Sequence, residues 1–154
     1  MGPGRYRGAV GERDELVERM RASFEPWNAG DIDAIVAGGT ADGFGFRTRD
    51  ARLGFDEDAT RAMLTAWYDS LERYRIEDVE ADARVDGDTA VVFGSFTEDF
   101  RHRGGPPERV RVRYSHVFRR ADDDWTLVWQ HRDVQDFADD GFYVPRPVEG
   151  PGSP

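Results

Sequence analysis

The stretch "VRVRYSHVFRRADDDWTLVWQHRDV", residues 110 to 134, reads as two strands joined by an acidic turn. Side chains on a strand alternate between two faces, so the partner across the turn decides which residues stand together. With Asp122 to Asp124 as a three-residue loop, His116 lies opposite Gln130 and Tyr114 opposite Arg132. Those four then share one face with Val112, Phe118 and Val128, while Trp125, Trp129 and His131 take the other. A slip of one residue, or a bulge, exchanges the two sets.

Two more strands precede this hairpin. Val79, Ala81, Ala83 and Val85 recur at a period of two, and Asp86-Gly87 supplies a tight turn that favours positive φ. "TAVVFGSFTEDF" (89 to 100) is apolar on both faces, as a central strand is. Residues 101 to 108, with Gly104-Gly105-Pro106-Pro107, form a loop. Upstream, the period is helical. From Glu12, residues Leu16, Met20, Phe24 and Trp27 make one apolar stripe, interrupted by Pro26 and stopped by Gly30. Asp31 caps a short helix, Ile32 to Ala37, which Gly38-Gly39 ends. "GFGFRT" (43 to 48) reads as a short strand, and Asp56 or Asp58 caps a third helix with the stripe Met63, Trp67, Leu71 and Tyr74. The order predicts an α+β fold with helices on one face of an antiparallel sheet.

At 154 residues the chain is expected to be one domain with one core. Residues 1 to 11 read as a loose arm, 12 to 143 as the domain, and 144 to 154 as a Pro/Gly-rich tail. No apolar run has the length of a membrane helix and no signal peptide is visible, so the expected location is cytoplasmic. All 21 basic residues are arginine, and 20 of the 31 acidic residues are Asp. That bias fits a GC-rich genome or a halophile. A net charge of −10 argues against a nucleic-acid partner. There is no cysteine, hence no disulfide or thiolate site. His102, His116 and His131 lack ligand spacing and "DDD" lacks that of a calcium loop, so no metal is expected.

Three stretches, "FEPWNAGDIDAI" (24 to 35), "GFGFRT" and "YSHVFRRADDDWTLVWQHRD" (114 to 133), resemble the nuclear-transport-factor-2-like superfamily and its SnoaL-like, ketosteroid-isomerase-like group. The resemblance spans roughly residues 12 to 137. The last hairpin is also similar to the association domain of calcium/calmodulin-dependent kinase. The resemblance implies a curved sheet wrapped around helices as a cone (a cystatin-like roll), open at one end to a pocket, and a homodimer through the sheets. It also implies that the even-numbered face of the last hairpin lines the pocket. Polyketide-cyclase-like and epoxide-hydrolase-like relatives carry a catalytic Asp at what looks like position 130, where this chain has glutamine.

These readings define a candidate site. His116 is the candidate base, since an imidazole titrates near neutrality, with Tyr114 beside it. Gln130 and Arg132 are candidate ligand contacts, and Trp27, Phe46 and Trp67 are candidate wall residues. Arg132 either holds an anionic ligand or pairs with an Asp such as Asp99 or Asp136. Trp125, Trp129 and His131 fit a dimer face. Asp31 is a cap in preference to a base. The expected function is a small-molecule pocket for an apolar or anionic ligand. Its chemistry would be cofactor-free acid–base work of the isomerase, cyclase or dehydratase type on an apolar carbonyl compound. The alternative is a non-catalytic dimerisation or sensing module.

Overall fold

The structure, a computed structural model, describes residues 5–39, 57–121 and 124–136, with side chains from Gly11 to Val134. Its elements run α1 (Arg5–Ala22), α2 (Glu25–Ala29), α3 (Ile32–Ala37), α4 (Glu57–Ser70), β1 (Leu71–Asp86), β2 (Thr89–His102), β3 (Pro107–Ala121) and β4 (Asp124–Asp136). The four strands form one antiparallel sheet in sequence order. The architecture is the expected α+β one, a curved sheet with helices on its concave side. "GFGFRT", with Phe44 and Phe46, and Asp56 lie outside the described residues.

Local chemistry explains most boundaries. Pro26 stands in the first turn of α2, so the apolar stripe is divided between two helices where its missing N–H does least harm. Gly30 ends α2 at φ 67°, and the Asp31 carboxylate accepts from Ala34 N at 3.0 Å, capping α3. Gly87, at φ 58°, turns β1 into β2. Two expectations shift. Helix α1 starts at Arg5, inside the segment read as a loose arm. Helix α4 stops at Ser70, and Leu71 and Tyr74 belong to β1. A period of four and three continued past the helix end by coincidence.

The core lies between α1 and the concave side. Leu16, Val17, Met20 and Phe24 meet Ala83, Ala90, Val92, Phe96, Val112, Tyr114, Phe118 and Trp125. The pairing shifts once at the very start of β1, between Leu71 and Arg73, and two further irregularities shape the sheet. In β1 the pairing shifts between Glu77 and Glu80, where Asp78 has φ 53°, a conformation Asp tolerates. In β4 the pairing shifts at Val128: Val117 faces Trp129, but Phe118 faces Leu127. Each such bulge bends and twists its strand. The second also corrects the face assignment below it. Trp125 is in the core at 3% exposure, and Val128 is turned out at 39%. Trp125 is therefore no part of a dimer face.

Helix α2 is fastened to the sheet by Asn28. Its amide accepts from Ile76 N at 2.6 Å and donates to Ile76 O at 3.2 Å. One side chain thus pairs with the backbone edge of β1 as another strand would.

Candidate functional site

Above the bulge the register is the expected one: Tyr114 pairs with Arg132, and His116 with Gln130. All four face the concave side with Val112. His131 is exposed on the convex side, and Trp129 shares that side with its partner Val117. His102 is elsewhere again, at the end of β2, where its Nδ1 lies 3.0 Å from Ser70 Oγ. The three histidines do not converge.

Arg132 is paired, but not with Asp99; the side chain of Asp136, the other expected partner, lies outside the described residues. The Arg132 Nη2 donates to both oxygens of Glu98, at 2.8 and 2.9 Å, by reaching diagonally over β3 to β2. Asp99 instead pairs with Arg73. Glu98 is 5% exposed, and a carboxylate so buried requires compensation. Tyr74 supplies more of it, its hydroxyl donating to Glu98 Oε1 at 2.8 Å. Burial, and then the Glu98 charge, pushes the Tyr74 phenol far above its ordinary range. The rest of the Arg132 guanidinium is uncommitted among the described residues. Its Nε is buried without a partner, and its carbon lies 5.9 Å from the Phe96 ring centre.

His116 is half-buried beside this network, its ring 5.5 Å from that of Tyr114. Burial first, and the Arg132 charge second, bring its pKa down to about 4, so the imidazole is neutral at physiological pH. The side chains of His116 and Gln130 have no hydrogen-bond partner among the described residues.

Tyr114 is held differently. Its hydroxyl donates to Glu80 O at 2.9 Å, two strands away. The ring reaches there by crossing β2 at Gly94, where a Cβ would lie 2.9 Å from the Tyr114 oxygen and 1.9 Å from Glu80 O. Phe24 and Phe96 pack around it at 5.9 and 5.8 Å. Burial pushes this phenol up to about 12. The placement makes Tyr114 a wall and a strut, with its proton committed.

Of the expected wall residues, Trp67 packs edge-on against Tyr74 at 4.7 Å, and Trp27 is half-buried against the core. Phe46 lies outside the described residues. The Trp27 carbonyl accepts from the Tyr68 hydroxyl at 2.6 Å, tying α2 to α4. A shallow groove of about 180 Å³ opens beside this junction, lined by Asn28, Gly30, Tyr68, Leu71, Arg73 and Tyr74 among others. None of the candidate polar residues borders it.

Sequence reasoning missed Glu98, Tyr74 and Asn28. For Glu98 a signal existed. It shares parity with Ala90, Val92, Phe96 and Phe100, so an acid on that apolar face implies a cationic partner. For Tyr74 and Asn28 no local pattern marks the role, since both depend on contacts far along the chain.

The arrangement offers a guanidinium edge, a neutral imidazole and a primary amide on an aromatic face. It can donate to and accept from a ligand, and the imidazole can take a proton. Similar proteins share the scaffold. A nuclear transport factor 2-like superfamily protein from Salmonella enterica matches with a TM-score of 0.62 at 16% identity, covering 89% of this chain and 95% of that one. A ketosteroid isomerase-like protein from Erwinia carotovora atroseptica matches at 0.57 and 18%, covering 78% and 94%. A protein with a cystatin-like fold from Caulobacter vibrioides matches at 0.58 and 14%, covering 80% and 88%. At such identities the likeness shows the fold alone. No curated protein matches this sequence. The family model for the SnoaL-like domain matches residues 17–134, which takes in α1 from Val17 and nearly all of the sheet, so the chain belongs to the SnoaL-like domain family.

Proposed function

We propose that this chain is a small-molecule-binding domain whose concave face takes an apolar ligand bearing a carbonyl-type hydrogen-bond acceptor. One observation carries the reading: His116, Gln130 and the free edge of Arg132 stand side by side on an aromatic face, without partners for their remaining donors and acceptors among the described residues. Half-buried polar groups that the protein itself leaves open are available to a ligand, which can take the place of water there. The test is calorimetry with a series of naphthyl ketones. Micromolar binding that Gln130→Leu weakens roughly fivefold, the loss of about one hydrogen bond, is the expected result. Absence of binding across the series refutes it.

A second reading adds acid–base chemistry of the isomerase, cyclase or dehydratase type, with His116 as base. It is favoured by the position of the imidazole beside a guanidinium that could stabilise a developing enolate; the imidazole is unprotonated and open to an α-proton, but at a pKa of about 4 it is a weaker base than the near-neutral one expected from the sequence. Deuterium exchange at the α-carbon of 2-acetylnaphthalene, followed by NMR, measures it. His116→Ala is expected to slow exchange by about 10²- to 10⁴-fold. Exchange no faster than in buffer leaves a binding domain without catalysis.

The reading includes a homodimer through the convex face. Val91, Val117 and Trp129 stand there in cross-strand register, with Phe93, 36% exposed, in the next row on the same face. Location in the cytoplasm is part of the same proposal; among the described residues no helix is long and apolar enough to cross a membrane.

A further inference from the structure

We propose that this site selects neutral hydrogen-bond acceptors, such as ketones, over carboxylates and other anions, because Glu98 already balances the charge of Arg132 from beneath. The inference rests on the reading of the concave face as a ligand site, and it names the class of ligand that site admits.

An exposed arginine at the end of a cleft is ordinarily read as an anion anchor. Here the pairing is inverted. The Glu98 side chain is 6% exposed and that of Arg132 36%, so the carboxylate lies below and the guanidinium above, toward the ligand. Both Glu98 oxygens take Nη2, and Tyr74 holds one of them from the other side. An incoming carboxylate would meet a cation whose neutralising anion cannot leave. It would lose its water for little net attraction, and would stand within one guanidinium width of a second negative charge. A ketone oxygen meets the same N–H donors without that repulsion. The other described cations near this end are themselves paired: Arg21, whose charge acts on the Tyr114 phenol, is held by Glu18 at 3.0 Å. His116 is uncharged at physiological pH. Arg120, the next cation along this face of β3, is held by Glu12 at 2.7 Å over the Trp125 ring. Gln130 adds a neutral amide.

Two probes of matched shape, 2-acetylnaphthalene and 2-naphthoate, decide the matter by calorimetry at pH 7.5 on the full chain. The wild type is expected to bind the ketone about tenfold or more tightly than the carboxylate. Glu98→Gln keeps the shape and removes the buried charge, and it is expected to move the ratio toward naphthoate by about tenfold or more. Preference of the wild type for naphthoate, or an unchanged ratio in Glu98→Gln, overturns the proposal while leaving the ligand site standing. Failure of both probes to bind the wild type removes the site and this inference with it. If Glu98→Gln does not fold, as judged by circular dichroism, the wild-type ratio decides alone.

Discussion

His116 shows how much one side chain's surroundings change its chemistry. Its ordinary pKa is 6.5, and burial with the Arg132 charge lowers it to about 4. Between those values the unfolded chain takes up a proton that the folded chain refuses. The stabilising contribution is therefore complete above pH 6.5, declines as the pH falls, and is gone by about 4. Urea unfolding at pH 7.5 and 4.5 should show the wild type losing on the order of 2 kcal/mol more than His116→Gln, discounted for its partial exposure. Equal losses would show that the imidazole titrates normally. Arg132 lends itself to a companion measurement. Arg132→Met leaves Glu98 buried with only Tyr74 to hold it, and removing one member of a buried pair costs about 3–5 kcal/mol. A loss below 1 kcal/mol would mean that water reaches Glu98 in the folded protein.

Among the elements, β2 and β3 are locked by a contact that spans three strands. Tyr114 crosses Gly94 to reach Glu80 O, so the smallest residue on β2 exists to let the largest on β3 pass. Gly94→Ala would drive a methyl group into the β1 backbone, and a destabilisation of about 3 kcal/mol or more is expected. Tyr114→Phe keeps the ring and loses only the hydrogen bond, about 1 kcal/mol. Thermal melts of the two variants should rank in that order; the reverse order would mean that β2 shifts freely away from β1. The bulge at Val128 is the second device at this scale. By changing parity within β4 it sends Trp125 inward and keeps Gln130 and Arg132 on the same concave side. Trp125→Ala is accordingly expected to cost about 3–5 kcal/mol.

For the whole molecule, the convex face poses the question of a partner. Its centre is apolar, with Val91, Phe93, Val117 and Trp129, and ion pairs flank it: Arg111 with Glu80 at 3.2 Å and Arg113 with Asp133 at 2.8 Å. An apolar centre within a charged rim is the anatomy of a protein interface. A dimer of ordinary size would bury roughly 800 Å² on each copy. Sedimentation at micromolar concentration should give a dimer, and Phe93→Glu a folded monomer. A wild-type monomer would leave this face for another role.

Periodicity and punctuation, both local, determined a good deal of this protein. The Pro26 break, the Gly30 stop, the Asp31 cap and the Asp86-Gly87 turn were all legible, because each depends on residues near in sequence; the pairing of His116 with Gln130 holds because Asp124 pairs with Ala121, a turn one residue shorter than expected, and the extra residue at Val128 offsets it. The end of α4 was not legible. Leu71 and Tyr74 continue the helical spacing, and pairing with β2 overrides it. Nor was the bulge at Val128, since an extra residue in a strand leaves no mark in composition. The partner of Arg132 was legible only as a requirement for some carboxylate. Asp99 was one natural candidate, and Glu98 is its neighbour on β2, but only Glu98 shares the concave face of Arg132, while Asp99 turns to Arg73. Which acid a long guanidinium reaches is set by how the sheet bends over its helix, and that bend arises only when distant segments pack together.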